Sequence, residues 1–307
     1  MYFNKQEALI FLLSFLGFTC CGQSLKPGLS GMGPSKWLTF RHTHAPGKVY
    51  SFAGLGNKSF TDEEMYVRAW IPAVHKEKFT VIVGPNYRTE QLEFKSMGEN
   101  PVASMEGWNL RTFGLDVNSF AKLDSSSWLI VTSHINKSGN FAQLSASQIP
   151  FNYTVSASFL RKRSANKEIG AGLMMNKSYK LTFLPVFIFN YNYSDRGGIE
   201  MMLPKKIAWR NNLSPSDILY VKAESVTRTY YIDNPLNNNP AVCRKVDVDM
   251  GVAYNHKLGK YAGVELFGGY RRNLSNKMIE GAIPLKTSGF AATFELYVQP
   301  PSFRKRK

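Results

Sequence analysis

The feature that most constrains this chain is a strict alternation of apolar and polar residues over long spans. Residues 246–254 are the clearest example. The even-numbered positions carry Val246, Val248, Met250, Val252 and Tyr254, whereas the odd-numbered positions between them include Asp247 and Asp249. Side chains of a β-strand alternate between its two faces, so this segment needs an apolar environment on one side and water on the other.

The same alternation recurs along most of the chain and predicts an all-β protein. About 13 candidate strands result, beginning near residues 49–56, and several have the length of about ten residues that a tilted strand needs to cross a membrane. This count treats residues 198–213 as a single strand. We therefore predict a single up-and-down antiparallel transmembrane β-barrel over residues 49–299. A closed bacterial barrel needs an even number of strands, and we favour about 12, with 14 as the alternative.

The two ends of the chain differ from the barrel region. Residues 1–22 predict a signal peptide, because Lys5 precedes an apolar stretch from Leu9 to Phe18 that is too short to span a bilayer as a helix. Residues 23–48 are rich in Gly and Pro and predict a periplasmic N-terminal lead-in. Residues 300–307 form a basic tail, which we place in the periplasm. After cleavage Cys243 is the one remaining cysteine, so an internal disulfide is excluded.

The net charge of +16 raises the question of an anionic partner. Nucleic acid is not expected, because the chain is predicted to be exported and carries no groove-reading motif. Anionic lipid headgroups or lipopolysaccharide phosphates are the partners we expect. Solvated lysines in loops and in the tail are the alternative explanation. The sequence leaves the oligomeric state open.

We find no constellation of residues that predicts catalysis, a cofactor or a metal, and we expect the protein not to be an enzyme. His42 and His44 could place two imidazoles on one face of a strand, a spacing that zinc can use, but no acidic or cysteine partner follows nearby. Serine and histidine, the pair used by hydrolases, occur as His134 with Ser138 and as His256 with Ser275, and neither pair has further support.

Charged residues of both signs occupy alternating positions and predict the inner face of the barrel. The lumen could be hydrated and sort solutes by size and charge, or it could be plugged by paired charges that conduct nothing. Aromatic residues near strand ends predict interfacial girdles at Trp108, Trp128, Tyr153, Tyr191, Tyr193, Trp209, Tyr230, Tyr231, Tyr261 and Tyr297. The candidate lumen-facing residues are Arg68, Asp116, Lys222, Glu224, Arg228, Asp247, Asp249, Glu265, Arg271 and Glu295.

The chain resembles an uncharacterised family of outer-membrane β-barrel proteins from Bacteroidota. The likeness rests on Cys21-Gly22-Gln23 and on residues 203–220, which look like that family's Leu-Pro-containing strand, short Ser-Pro turn and returning strand. The resemblance implies a transmembrane barrel in a Gram-negative outer membrane and implies no catalytic residues. Many such barrels end on an aromatic residue that the barrel-assembly machinery reads. Here the final predicted strand stops near Val298, so recognition would use Phe294 or Tyr297, or the tail has its own contact.

Three functions follow as hypotheses. The first is an outer-membrane barrel that acts as a passive channel or carrier for small or amphipathic solutes. The second is a non-conducting structural or adaptor barrel that binds a partner through its loops or tail. The third is a soluble exported β-sandwich, in which the apolar faces of two sheets would pack on each other instead of on lipid.

Overall fold

A computed structural model describes residues 27–300, except 53–55, 95–107, 143, 179, 234–240 and 278–285. The predicted signal peptide and nearly all of the predicted basic tail therefore lie outside the described residues. The described strands are β1 (Leu38–Phe52), β2 (Gly56–Ala69), β3 (Ile71–His75), β4 (Phe79–Phe94), β5 (Trp108–Lys122), β6 (Ser127–Gly139), β7 (Asn152–Ser164), β8 (Lys167–Lys177), β9 (Leu181–Asn192), β10 (Gly197–Leu203), β11 (Lys206–Asn212), β12 (Asp217–Ile232), β13 (Ala241–Leu258), β14 (Ala262–Lys277) and β15 (Lys286–Val298).

These strands form one closed antiparallel barrel. Each strand pairs with its neighbours in the chain except β2 and β3, which do not pair with each other; β15 pairs with β1, and β2 pairs with β4. Strands β2 and β3 both pair with β4 and form one wall strand that is interrupted at Trp70, whose amide donates to the carbonyl of Trp37 at 2.6 Å. The barrel thus has 14 strands. The predicted all-β up-and-down barrel is confirmed, and a β-sandwich is excluded. The favoured count of 12 is wrong, and the alternative of 14 is right.

The segment 198–213 shows why the strand count was difficult to predict. It holds two strands, β10 and β11, joined by a turn of two residues, Pro204 and Lys205. The last registered partners are Met202 and Lys206, so an odd number of residues, Leu203 to Lys205, separates them, and even-numbered side chains stay on the same face in both strands. The alternation of polarity therefore runs through the turn without a break, and the hairpin looks like one strand.

The barrel also begins earlier than the sequence indicated. Strand β1 starts at Leu38 and not near residue 49, so much of the predicted lead-in belongs to the wall. Its buried inner face carries small residues such as Thr43 and Ala45, and its outer face includes His42 and His44. Because both faces contain polar residues, the contrast in polarity that marks the other strands is weak here.

The direction of the strands places both ends of the barrel wall, Leu38 and Val298, at one end of the barrel, which we call the terminal end. Its connections are short. In the turn after β5, the amide of Ser126 donates to the Asp124 carboxylate at 2.7 Å, and this hydrogen bond lowers the pKa of Asp124. The opposite end, the loop end, has the four longest connections, 95–107, 140–151, 233–240 and 278–285.

The outer surface of the barrel is apolar over most of its height. Large hydrophobic side chains point outward from strands all around the ring, including Leu115, Phe159, Phe187, Val252 and Phe294, and each is between 41% and 50% exposed. A soluble monomer rarely exposes so much contiguous apolar surface. The described residues contain no helix that is long and apolar enough to cross a membrane.

The predicted aromatic girdles are correct only in part. Tyr153, Tyr191, Tyr193, Trp209 and Tyr261 lie exposed on the outer surface. By contrast, Trp128, Tyr230, Tyr231 and Tyr297 are buried, because they occupy inner-face positions or pack under a loop. The side chain of Trp108 lies outside the described residues.

Candidate functional site in the lumen

The structure places all ten candidate lumen residues on the inner face. Side chains of opposite charge pair there. Arg271 lies 2.6 Å from Asp249, its direct cross-strand partner, and Lys222 on β12 reaches past β13 to Glu265 on β14 at 2.8 Å. Arg68 lies 3.8 Å from Asp116, and Glu295 accepts from Arg41 at 2.6 Å. Glu224 faces Lys206 and Asp249 in the strand register, and Arg228 lies 3.7 Å from Asp247 and belongs to the network described next. Whether these residues act on a solute remains a prediction.

A cluster of charges crosses the lumen towards the loop end, and we call it the cross-lumen network. Arg228 on β12 bonds Glu64 on β2, although five steps around the ring separate the two strands. Lys245 on β13 contacts Asp62 at 3.2 Å and also bonds Glu90. Tyr230 donates to Glu90 at 2.6 Å. Sequence reasoning missed Asp62, Glu64, Glu90 and Lys245 as site residues.

The cross-lumen network is not expected to stabilise the folded barrel by much. All of its charged side chains are nearly fully buried, so each has lost most of its hydration. Replacing a buried ion pair by well-packed apolar residues is often neutral or stabilising, whereas removing one partner costs about 3–5 kcal/mol. The network does, however, fill the space through which a solute would have to pass along the barrel axis.

A second closure is formed by the wall itself. Gly139 at the end of β6 forms a bridge with Tyr231 on β12, and the amide of Asn140 donates to the carbonyl of Tyr231 at 2.9 Å. Strands β6 and β12 belong to opposite walls, so their contact divides the lumen into two lobes at this level. Leu144 and Ile149 from the β6–β7 loop pack on Tyr231 and cover the contact.

At the terminal end, residues 27–37 cross the lumen before β1 begins, and we call them the N-terminal strap. The amide of Gly28 donates to Glu168 at 3.0 Å, and the carbonyl of Ser30 accepts from Asn192 at 2.8 Å. Arg210 bonds the carbonyl of Gly31. Lys36 bonds Glu265 at 2.7 Å and also Glu295. The strap thus reaches from β8 to β15, and the predicted periplasmic lead-in is in part a plug.

A cavity of about 210 Å³ lies against the strap inside the barrel. Its lining combines strap residues Met32 to Lys36 with wall residues of both charges. Lys206 and Lys222 contribute ammonium groups, and Glu200 and Glu265 contribute carboxylates. Such a lining suits a polar or charged molecule. Each ammonium and carboxylate group of the lining is held in an ion pair, and a ligand of matching charge can take the place of either partner.

The histidines singled out in the sequence have different environments. His134 lies on the inner face, and its Nδ1 is 2.6 Å from Asp116, whereas the Ser138 hydroxyl donates to Thr112 and Asn136. His256 pairs with Asp217, and Ser275 lies towards the other end of the neighbouring strand. Neither pair brings serine and histidine together. The expectation that the protein is not an enzyme stays a prediction.

His42 and His44 do have an acidic neighbour, contrary to the sequence reading. Glu63 on β2 lies 2.9 Å from Nε2 of His42 and bonds His44, all on the outer face. The partner was missed because it lies on a different strand. Among the described residues, no group of three or more such side chains is arranged to hold a metal ion.

The fold and its lumen define a class: a closed barrel with an apolar exterior and a charged, occluded interior. The chain belongs to the family described as "Domain of unknown function (DUF6268)", whose model matches residues 113–282, more than half of its length. No curated protein matches the sequence.

Three solved structures illustrate what the fold is similar to. The COG4313 outer membrane channel from Pseudomonas putida F1 is 7% identical, with 89% of this chain and 99% of that chain covered and a TM-score of 0.47. The translocator domain of the autotransporter NalP from Neisseria meningitidis is 10% identical, with coverages of 96% and 95% and a TM-score of 0.36. The Pseudomonas putida toluene transporter TodX is 9% identical, with coverages of 87% and 90% and a TM-score of 0.35.

Proposed function

We propose that this protein is an outer-membrane barrel that works as a gated passive channel for small or amphipathic solutes. The apolar outer wall and the aromatic residues near its terminal end support the membrane location, because lipid is the environment that such a surface needs. The long connections at the loop end then face outside, and the strap faces the periplasm. Anionic lipid and lipopolysaccharide would contact the basic surface, and the barrel-assembly machinery would insert the chain.

The observation that carries the proposal is the composition of the lumen. It is filled by charged side chains paired across the barrel, such as Arg228 with Glu64, instead of by a close-packed apolar core. Paired charges can separate when water or a solute enters, whereas an apolar core cannot exchange its contacts for hydration. The cross-lumen network and the strap together make the resting state closed, so we expect rare openings and not a permanently open pore.

Recording the purified, refolded protein in planar bilayers tests this function. Unmodified protein should show infrequent openings. The double variant Arg228→Ala with Glu64→Ala removes both partners of one cross-lumen pair. Glu90 and Asp247 also lose a contact with Arg228 at 3.7 Å, but Glu90 keeps Lys245 and Asp247 keeps the Asn273 amide. We expect the open probability to rise roughly threefold or more, because a barrier within the pore has been removed.

The matched control is Glu77→Ala with Lys78→Ala, which also deletes one charge of each sign but in an exposed turn at the terminal end. It should leave the open probability unchanged. Correctly folded Arg228→Ala/Glu64→Ala protein that stays silent would contradict the channel. That result would favour the second candidate, a non-conducting structural or adaptor barrel, which the many ion pairs among the described lumen charges also fit.

A further inference from the structure

One part of the lumen differs from the charged remainder, and we call it the apolar lobe. It comprises Leu160, Met174, Leu184, Val186, Ile188 and Met202 on the inner face of β7 to β10. Leu160, Val186 and Ile188 are buried, but Leu184 is 37% exposed and Met202 is 44% exposed although both point inward. Apolar inner-face residues without a covering layer indicate space that an apolar group can fill.

The wall beside the apolar lobe is low, because β10 and β11 are short. Strand β10 ends at Leu203, which pairs with Phe187 of β9. Residues 181–186 of β9 therefore have no partner on β10. Strand β11 begins at Lys206, opposite Glu224, and β12 continues past it to contact β6. A notch therefore lies between β9 and β12 above the turn at Pro204 and Lys205. It leads from the outer surface of the barrel to Met202 and Leu184.

Positive charge surrounds this notch. Lys205 is exposed in the turn that forms its floor, and Lys180 is exposed in the neighbouring turn between β8 and β9. Lys206 is the direct cross-strand partner of Met202. Its ammonium group lies 3.3 Å from Glu200, which also has Arg210 at 3.0 Å, so Glu200 keeps a counter-ion if Lys206 turns to a ligand. The stretches 177–182 and 203–208 contain no Asp or Glu, and the one carboxylate opposite the lysines is Glu224, the cross-strand partner of Lys206.

The distance along the apolar lobe limits the size of its occupant. Ile188 to Leu184 spans four residue steps of β9, which corresponds to roughly 13 Å at the usual rise of an extended strand. An alkyl chain of about ten to twelve carbons has a similar length, and a bulkier molecule would have to displace β12 from β6.

From the exposed inward-facing apolar residues, the notch and its lysines, we propose that the apolar lobe binds a medium-chain fatty acid that enters sideways through the notch. The alkyl chain lies along Met202, Ile188 and Leu184, and the carboxylate pairs with Lys205 and Lys206. This inference rests on the proposed function, because it names an amphipathic solute for the channel. The adjoining cavity at Lys206 and Lys222 continues the path towards the periplasm.

Equilibrium binding of radiolabelled laurate to the full chain in lipid nanodiscs tests the site, with empty nanodiscs as the blank. We expect saturable binding by the unmodified protein. Leu184→Asn and Met202→Asn should each weaken laurate binding roughly tenfold, since each puts a polar group in the path of the chain. Leu123→Asn, at an exposed leucine in a turn at the terminal end, is the matched control and should bind normally.

The lysines are tested by comparing laurate with dodecanol, which has the same chain and no charge. Lys205→Gln with Lys206→Gln should weaken laurate binding severalfold and leave dodecanol binding unchanged. Equal effects on both ligands, or no effect on either, would overturn the proposed carboxylate contact. Normal laurate binding by folded Leu184→Asn and Met202→Asn proteins would overturn the site itself.

A measurement on the unmodified sequence covers the case in which these variants fail to fold. With methyl-labelled methionine, a spin-labelled laurate should broaden the signals of Met174 and Met202, and excess unlabelled laurate should restore them. Persistent sharp signals would also overturn the site. Binding and conductance are separate readouts: a silent bilayer with saturable laurate binding would reject the channel alone, whereas openings without laurate binding would reject the fatty-acid site alone.

Discussion

Gly139 shows how a single residue shapes the lumen. A Cβ atom at this position would lie 2.4 Å from the carbonyl oxygen of Tyr231 and 2.9 Å from Cδ1 of Ile149. Both distances are too short for a methyl group, so only glycine lets β6 and β12 touch without a shift of the backbone. The division of the lumen into two lobes therefore depends on a missing side chain.

We predict that Gly139→Ala separates β6 from β12 and destabilises the folded barrel by about 1–3 kcal/mol, the usual cost of forcing extra atoms into a packed site. Urea unfolding in detergent, followed by tryptophan fluorescence, measures the change. Gly268→Ala is the matched control, because a Cβ atom there meets nothing within 4 Å. Equal stability of the two variants would show that the contact between β6 and β12 leaves room for a Cβ atom at residue 139.

At the scale of elements, the N-terminal strap and the cross-lumen network are two barriers in series. They lie at different levels of the barrel and have no charged residue in common. Lys36 anchors the strap to Glu265 and Glu295, but Lys222 and Arg41 also pair with those two carboxylates. The loss of Lys36 would therefore loosen the strap without leaving an unpaired charge in the wall.

We predict that Lys36→Met raises the open probability severalfold in planar bilayers. Combined with Arg228→Ala/Glu64→Ala, the two effects should multiply, because distant barriers without shared partners contribute additively in free energy. Lys76→Met, in an exposed turn, is the control and should behave like the unmodified protein. An unchanged open probability for Lys36→Met would mean that the strap does not obstruct the path.

For the whole molecule, the decisive property is closure of the sheet. Strand β15 pairs with β1, so the ring is closed and every wall strand has a neighbour on both sides. The backbone groups within the wall therefore bond to each other. In lipid this is the only way for a β-structure to satisfy its backbone, and it makes unfolding a cooperative event.

We therefore predict that the unboiled protein runs as a compact band in SDS gels and shifts after heating to the position of the unfolded chain, whose mass is 34.6 kDa before removal of the predicted signal peptide. The protein should also stay with the membrane fraction during a carbonate wash, because the apolar outer wall is solvated by lipid. Release by carbonate without detergent would contradict the membrane location, and with it the proposed channel.

The sequence alone was sufficient for every property that depends on alternation along one strand. The ten candidate lumen residues and the outward-facing apolar residues follow from side chains that alternate with a period of two, which is a local rule. The same rule failed where it carries no information. The register of the hairpin at Pro204 and Lys205, with Met202 opposite Lys206, preserves the alternation, so the hairpin was hidden. The weak contrast in β1 hid the true start of the barrel.

Only the tertiary structure decided which residues meet across the lumen. Glu64 and Arg228 are 164 positions apart in the chain, and they become partners because the sheet closes on itself. Likewise, the strap, the contact of β6 with β12 and the exposed apolar lobe arise from the curvature of the closed wall and from unequal strand heights. No local pattern encodes these distances, since they depend on how all 14 strands are arranged around one axis.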